Sequence, residues 1–233
     1  MKGLARYFLI STFTVLFTSS AFAQVDSVKQ RLIALGIDSN IIEHSFHTDD
    51  GIHYFKMTVD AVSPERKDLQ TIEYDPRRDA KQRWQSLTYN GDTVSEKWAR
   101  DYAKEVNKNT GKTVNVFSTK IKSEDNSLIV VSFQCGNKDN LPDRYKNLAR
   151  CAGLAFINKN TKQIEREEFT DSSAFQLEFM DVRNYTMYRN FSYNEELHFN
   201  QLISDDLIIN AFIRNKKSKV TITYIYSEYK AVQ

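Results

Sequence analysis

Glycine and proline are scarce, 7 and 3 in 233 residues. So few breakers exclude a long flexible linker or a low-complexity tract. Cysteine is limited to Cys135 and Cys151, whose spacing is not the C-x-x-C of a redox-active pair. No G-x-S-x-G elbow, P-loop, G-x-G-x-x-G or H-E-x-x-H occurs, so the common hydrolase, nucleotide and zinc-protease signatures are missing. After the first two dozen residues no apolar run is long enough to span a membrane. An excess of one charge sign is missing too, once the N-terminus is set aside.

That N-terminus, "MKGLARYFLISTFTVLFTSSAFAQ", has a basic start, an apolar run from Tyr7 to Phe17 and a small-residue close at Ala21-Phe22-Ala23. The pattern is that of a secretory signal peptide over residues 1–23, which predicts a periplasmic or secreted protein whose mature chain begins at Gln24. The full chain has 32 basic and 30 acidic residues. Losing Lys2 and Arg6 with the signal leaves 30 against 30, formally neutral. A neutral protein lacks the positive stripe that nucleic acid requires. Residues 24–233 fit a single domain.

In an oxidising compartment the default for Cys135 and Cys151 is one disulfide, worth ~3 kcal/mol for a loop this short; the alternative is two buried free thiols. The intervening "GNKDNLPDRYKNLAR" reads as a turn and a short helix opening at Pro142.

Three of the four histidines crowd into "HSFHTDDGIHYF", residues 44–55. Asp50-Gly51 between alternating apolar residues predicts a hairpin turn. In that register Phe46 faces Phe55, and His44 and His53 lie on the order of 13 Å apart across two pleats, whereas a zinc–nitrogen bond is ~2 Å. The reading is therefore histidines flanking an aromatic pair and no metal. His198 has no marked nucleophile partner, so no catalytic residue is assigned.

Elsewhere, residues 25–36 read as a helix, and 93–108 as a second one with a Thr93/Glu96 capping box and a Val94, Trp98, Tyr102, Val106 stripe. Strands are predicted at 68–76, 83–89, 127–135, 151–158 and 163–169, the last polar on both faces and so read as an edge. Long alternating runs fill 175–233, with a turn at 215–219. The predicted class is α+β: a large curved antiparallel sheet, half-barrel-like, with two or three helices packed on one face.

Acidic doublets (Asp49-Asp50, Glu167-Glu168, Glu195-Glu196, Asp205-Asp206) put their members on opposite faces of a strand, a poor basis for a paired-carboxylate site. Arg77, Arg78, Lys81 and Arg83 form a basic cluster that could meet an anionic head group, or be a solvated loop. The aromatic surplus in the sheet makes Tyr185, Phe191, Phe212, Tyr224 and Tyr226 candidates to line an apolar cavity, with ordinary core as the alternative.

The order "YDP…RWQSL…NGDTVSEKWARDYAKE…FINKNTKQIE…YSEY", carried by Trp84, Leu87, Gly91, Trp98 and Tyr226-Ser227-Glu228-Tyr229, resembles a group of uncharacterised exported bacterial proteins. That group is similar in turn to the Lol-type half-barrels that carry lipoproteins across the periplasm. The resemblance implies a sheet wrapped around an apolar cavity and lidded by helices; it transfers no ligand residue. The expectation is a non-catalytic binding protein for a hydrophobic small molecule or a lipoprotein, with no cofactor. An exported hydrolase with a site gathered from separate strands, or a structural envelope partner, stays open.

Overall fold

The computed structural model describes residues 27–46, 52–107, 114–141, 143–177 and 180–232; the predicted signal peptide, the Asp50-Gly51 turn and His47 lie outside them. Period-two alternation of apolar residues makes strands almost everywhere it is found. A helix over 27–34 (α1) and α2 (Ile41–His44) precede β1 (His53–Val62), β2 (Lys67–Tyr74), β3 (Trp84–Tyr89) and β4 (Asp92–Thr93). After α3 (Glu96–Asn107) come β5 (Val116–Glu124) and β6 (Leu128–Cys135), then 3-10 turns at Lys138–Asn140 and Asp143–Arg150. The chain ends in β7 (Ala152–Asn158), β8 (Gln163–Asp171), β9 (Phe175–Leu177), β10 (Met180–Asn194), β11 (Phe199–Ile213) and β12 (Lys216–Ala231).

Together these form a 12-stranded antiparallel sheet in the order β4-β3-β2-β1-β12-β11-β10-β8-β7-β6-β5, with β9 also on β10. Two meanders, β1–β4 and β5–β12, meet where β12 pairs with β1, and α3 carries the chain between the two outer edges. The sheet is open. Positive φ at Asn90 and Gly91, and again at Arg214 and Asn215, supplies the tight turns of two hairpins. The second turn thus sits one residue earlier than expected, and Lys216–Lys219 belong to β12.

One face of the sheet holds the core. Over its β6–β11 half, Val28 and Leu32 of α1 join Ile37, Ile41, Ile42 and Phe46, and Leu141, Tyr145 and Leu148 join them from the 3-10 turns. All cover inward residues such as Val131, Phe133, Phe169 and Met187. Over the other half, Phe55, Met57, Tyr74, Trp84 and Tyr226 form a second, aromatic cluster. Phe191 packs against both.

Four expectations are corrected. Residues 41–44 are helical and β1 pairs with β2 and β12, so the hairpin that set Phe46 opposite Phe55 does not form. Instead Ile41 and Ile42 of α2 bury, together with Ile37 from the connection before it. β8 is interior, between β7 and β10, not an edge. Among the described side chains of α3 the buried ones are Ala99 and Ala103, while Trp98 is 41% exposed, and the hydroxyl accepting at the helix start is that of Ser95, from the Trp98 amide at 3.3 Å. Cys135 and Cys151 are buried free thiols, not a disulfide. Leu141, Tyr145 and Leu148 anchor the loop between them by burial, and the Tyr145 hydroxyl adds a bond to Asp205. Burial pushes both thiols up to about 12, which leaves them protonated and weakly nucleophilic at neutral pH.

Gly153 has no room for a side chain. A Cβ there would lie 2.7 Å from the Phe133 ring, itself packed edge-on against Phe169 at 5.6 Å. Gly153→Ala is expected to destabilise the fold by about 1–3 kcal/mol, read as a lower urea midpoint at unchanged slope.

Candidate functional site

Along β10 the inward positions Tyr185, Met187, Arg189 and Phe191 alternate, so a guanidinium is forced into the core. Register decides what meets it. Arg189 pairs with Glu167 on β8 and Asp205 on β10's other neighbour, β11, and Asp205 pairs with Tyr224 on β12. Arg189, Glu167 and Asp205 are all 0% exposed.

Each nitrogen of the guanidinium has a partner. Nη1 donates to Glu167 Oε2 at 2.8 Å, Nε to Asp205 Oδ1 at 3.2 Å, and Nη2 to the Ser45 carbonyl at 2.9 Å. The rings of Phe46, Tyr145 and Phe191 lie 4.7, 4.9 and 5.2 Å from its carbon, a cation–π enclosure. Asp205 Oδ2 accepts from the hydroxyls of Tyr145 at 2.8 Å and Tyr226 at 3.1 Å. The cluster therefore ties the strap of residues 27–46, a 3-10 turn and four strands to one point.

Hydrogen counting favours a proton on Glu167. The single hydroxyl hydrogen of Ser45 faces two acceptors, the Ile42 carbonyl and Glu167 Oε1, both at 2.7 Å. It cannot serve both. If Glu167 is protonated, it donates to Ser45 Oγ and Ser45 donates to Ile42. Burial drives the Glu167 carboxyl above its ordinary 4.5, against the opposing pull of Arg189. In its protonated form Glu167 would leave Arg189 and Asp205 as a balanced pair.

Beside this cluster lies a pocket of roughly 390 Å³ between the strap and the sheet. Ile41, Ile164, Phe191, Phe199, Leu202 and Tyr229 supply its apolar surface; Asp38, His44, Lys162, Gln163 and Asn200 supply its polar groups. Asp38 and His44 pair at 2.7 Å, and Asn200 Nδ2 donates to the Ile164 carbonyl at 2.8 Å. Ser45 belongs to both pocket and cluster.

The residues singled out in the sequence are distributed unevenly. Tyr226 touches the cluster, Tyr224 stands half-buried opposite Asp205, and Phe191 lines the pocket. Tyr185 is core, its hydroxyl without a hydrogen-bond partner among the described residues and its phenol pushed up by burial. Phe212 is on the outer face, 38% exposed under the Arg183 guanidinium. In the basic cluster Arg77 clasps Asp75 with two bonds of 2.9 Å, and Arg78 bonds Glu73 and Gln85. Lys81 is exposed and Arg83 half-buried. His44 and His53 are on separate elements, His53 stacked on Phe199 at 4.0 Å. No group of three metal-ligating side chains occurs among the described residues.

Sequence reasoning missed Glu167, Arg189 and Asp205. The doublets do split across the sheet, and their inward members are the two that meet Arg189. The available signal was a lone arginine in an otherwise apolar alternation.

No family model matches the chain, and no curated protein matches it. Among solved structures it is similar to a DUF1329 family protein from Desulfovibrio piger, at 7% identity, over 89% of this chain and 93% of that one, with a TM-score of 0.39. A likeness at that level carries no argument about fold or function.

Two variants test the proton assignment. Arg189→Met strands a buried carboxylate and is expected to cost roughly 3–5 kcal/mol. Glu167→Gln reproduces the neutral side chain and should be tolerated. For a carboxyl raised on folding, the native state binds the extra proton, so stability falls as pH climbs from 4.5 through the elevated value. Subtracting the Glu167→Gln stability curve from that of the parent should isolate this decline; a difference that rises with pH would refute a neutral Glu167.

Proposed function

We propose that the protein is a non-catalytic, extracytoplasmic binding protein that takes the apolar part of a small amphipathic molecule into the pocket between strap and sheet. The pocket is the observation that carries the reading. Its volume falls within the range of ligand sites, and it joins an apolar surface to a few polar groups in the usual manner of such sites. Lys162 has no ion-pair partner among the described residues, so a polar or anionic head at the rim completes the fit.

In this reading the open sheet is a half-barrel cupped around the strap, and the signal read in residues 1–23 directs it to the periplasm or beyond. The resemblance to lipoprotein carriers read in the sequence points the same way, and a lipoprotein acyl chain would be one such ligand. A hydrolase reading gains little from Glu167 and Asp205. Both are engaged by Arg189, Ser45 or tyrosine hydroxyls and have no exposed surface for a substrate to reach.

An environment-sensitive fatty acid, 11-(dansylamino)undecanoic acid, is the probe. Saturable binding at one site per chain is expected, weakened at least about tenfold in Gln163→Trp, a half-buried rim position where the larger side chain fills the mouth. Native mass spectrometry of protein from its own host should show a co-purified small molecule. Absence of saturable probe binding, or a Gln163→Trp variant that binds as well as the parent, would sink the proposal.

A further inference from the structure

Where β3, β4 and α3 meet, two aromatic rings stand at an angle over open space. Tyr89 and Trp98 lie 5.6 Å apart with their planes inclined at 61°. They border a cleft of roughly 530 Å³ whose other walls are Asp92, Thr93, Val94 and Ser95. Trp98 is 41% exposed although its helix buries Ala99 and Ala103 one position further along. The other tryptophan, Trp84, is 3% exposed in the aromatic core.

The corner is held rigid by polar contacts. The Tyr89 hydroxyl donates to Asp68 Oδ1 at 2.5 Å and accepts from Arg66, which also bonds Asp68 at 2.7 Å. Asn90, next to Tyr89, accepts from the Leu69 amide at 2.7 Å and so fixes the turn. A ring clamped in this way loses little freedom on binding. Asp92, by contrast, has an exposed carboxylate with no hydrogen bond or ion pair among the described residues.

We propose that this corner is a binding subsite for a neutral saccharide, separate from the pocket beside the strap. A pyranose with equatorial hydroxyls presents a face of C–H bonds and an edge of hydroxyls. The C–H face, slightly positive, lies on the electron-rich face of Trp98, with Tyr89 as the side wall. Ring hydroxyls donate to the Asp92 carboxylate and exchange hydrogen bonds with Thr93. Charges of both signs stand at this corner, Asp92 in the cleft wall and the Arg66 guanidinium 6.0 Å over the Tyr89 ring, so no single-sign patch invites an anionic membrane surface.

Cellotriose is the first probe, because its all-equatorial rings expose C–H faces on both sides; maltotriose and tri-N-acetylchitotriose are the comparison. Titrations of the full chain are followed by saturation-transfer NMR and calorimetry, and Trp98 fluorescence gives a second readout. Saturable binding of at least one trisaccharide is expected. Trp98→Ala should weaken it at least about tenfold, the scale of one lost stacking contact; Trp98→Phe should restore much of it, and Asp92→Asn should weaken it several-fold. Gln163→Trp should leave it unchanged, which separates this subsite from the pocket. Three outcomes overturn the proposal: no saturable binding of any of the three sugars, equal binding by Trp98→Ala in a folded variant, or Trp98-dependent binding to phosphatidylglycerol vesicles in place of sugar.

Discussion

The structure depends on one buried guanidinium. Removing Arg189 and its two carboxylates from water has a penalty of several kcal/mol per ion that their mutual attraction barely offsets. The compensation is geometric. Arg189 spends no donor on solvent; it reaches β8, β11 and the strap at once, and aromatic rings close over it. A one-residue slip of β10 would turn Arg189 to the outer face and leave Glu167 and Asp205 facing each other without a cation. Between long, alternating strands such as β10 and β11, each 15 residues, apolar pairing alone separates registers two residues apart poorly, because both keep the same face inward. The ion cluster distinguishes them sharply, and we read it as the register lock of the sheet.

The lock also explains why the strap stays in place. α1 and α2 are short, and helices of that length are not stable by themselves. Their apolar residues supply attraction without direction, whereas the Ser45 carbonyl and hydroxyl fix where the strap ends. The pocket is a consequence. Its mouth is the gap left between a strap pinned at Ser45 and the β7–β8 and β10–β11 turns, and its apolar wall continues into Phe191, the side chain common to both cores.

Much of the fold was legible because period-two alternation is a local signal. β2, β3 and the inward set Val220, Ile222, Tyr224 and Tyr226 follow from it directly, while β6 and β7 follow from runs apolar on both faces. What failed was non-local. "QIEREEF" looks like an edge because Glu167 is polar, yet its strand is interior because the partner for that charge lies 22 residues further on. The histidine-rich stretch read as a hairpin because Asp50-Gly51 is a strong turn signal, but Ile41 and Ile42 of α2, with Ile37 before it, already commit the chain to burial. Trp98 read as core because a four-residue repeat marks a stripe without saying which side of it is covered. The site suffered most: neither Asp205 nor Glu167 is distinctive until Arg189 is placed between them.

Charge accounting ties the interior to the surface. Arg189 is held between Glu167 and Asp205, so the cation of the buried cluster is answered inside it. The predicted mature chain is likewise balanced, 30 basic against 30 acidic residues, and its exposed cations are widely answered: Arg31 and Lys159 by Glu124, Arg77 by Asp75, Arg166 by Glu168. Such a protein has no long-range field with which to gather a charged partner. Recognition must then act at contact distance, through apolar area and a few fixed polar groups. The pocket at the strap and the aromatic corner on α3 are both built in that way, and both lie on rigid frames set by the sheet whose register Arg189 holds.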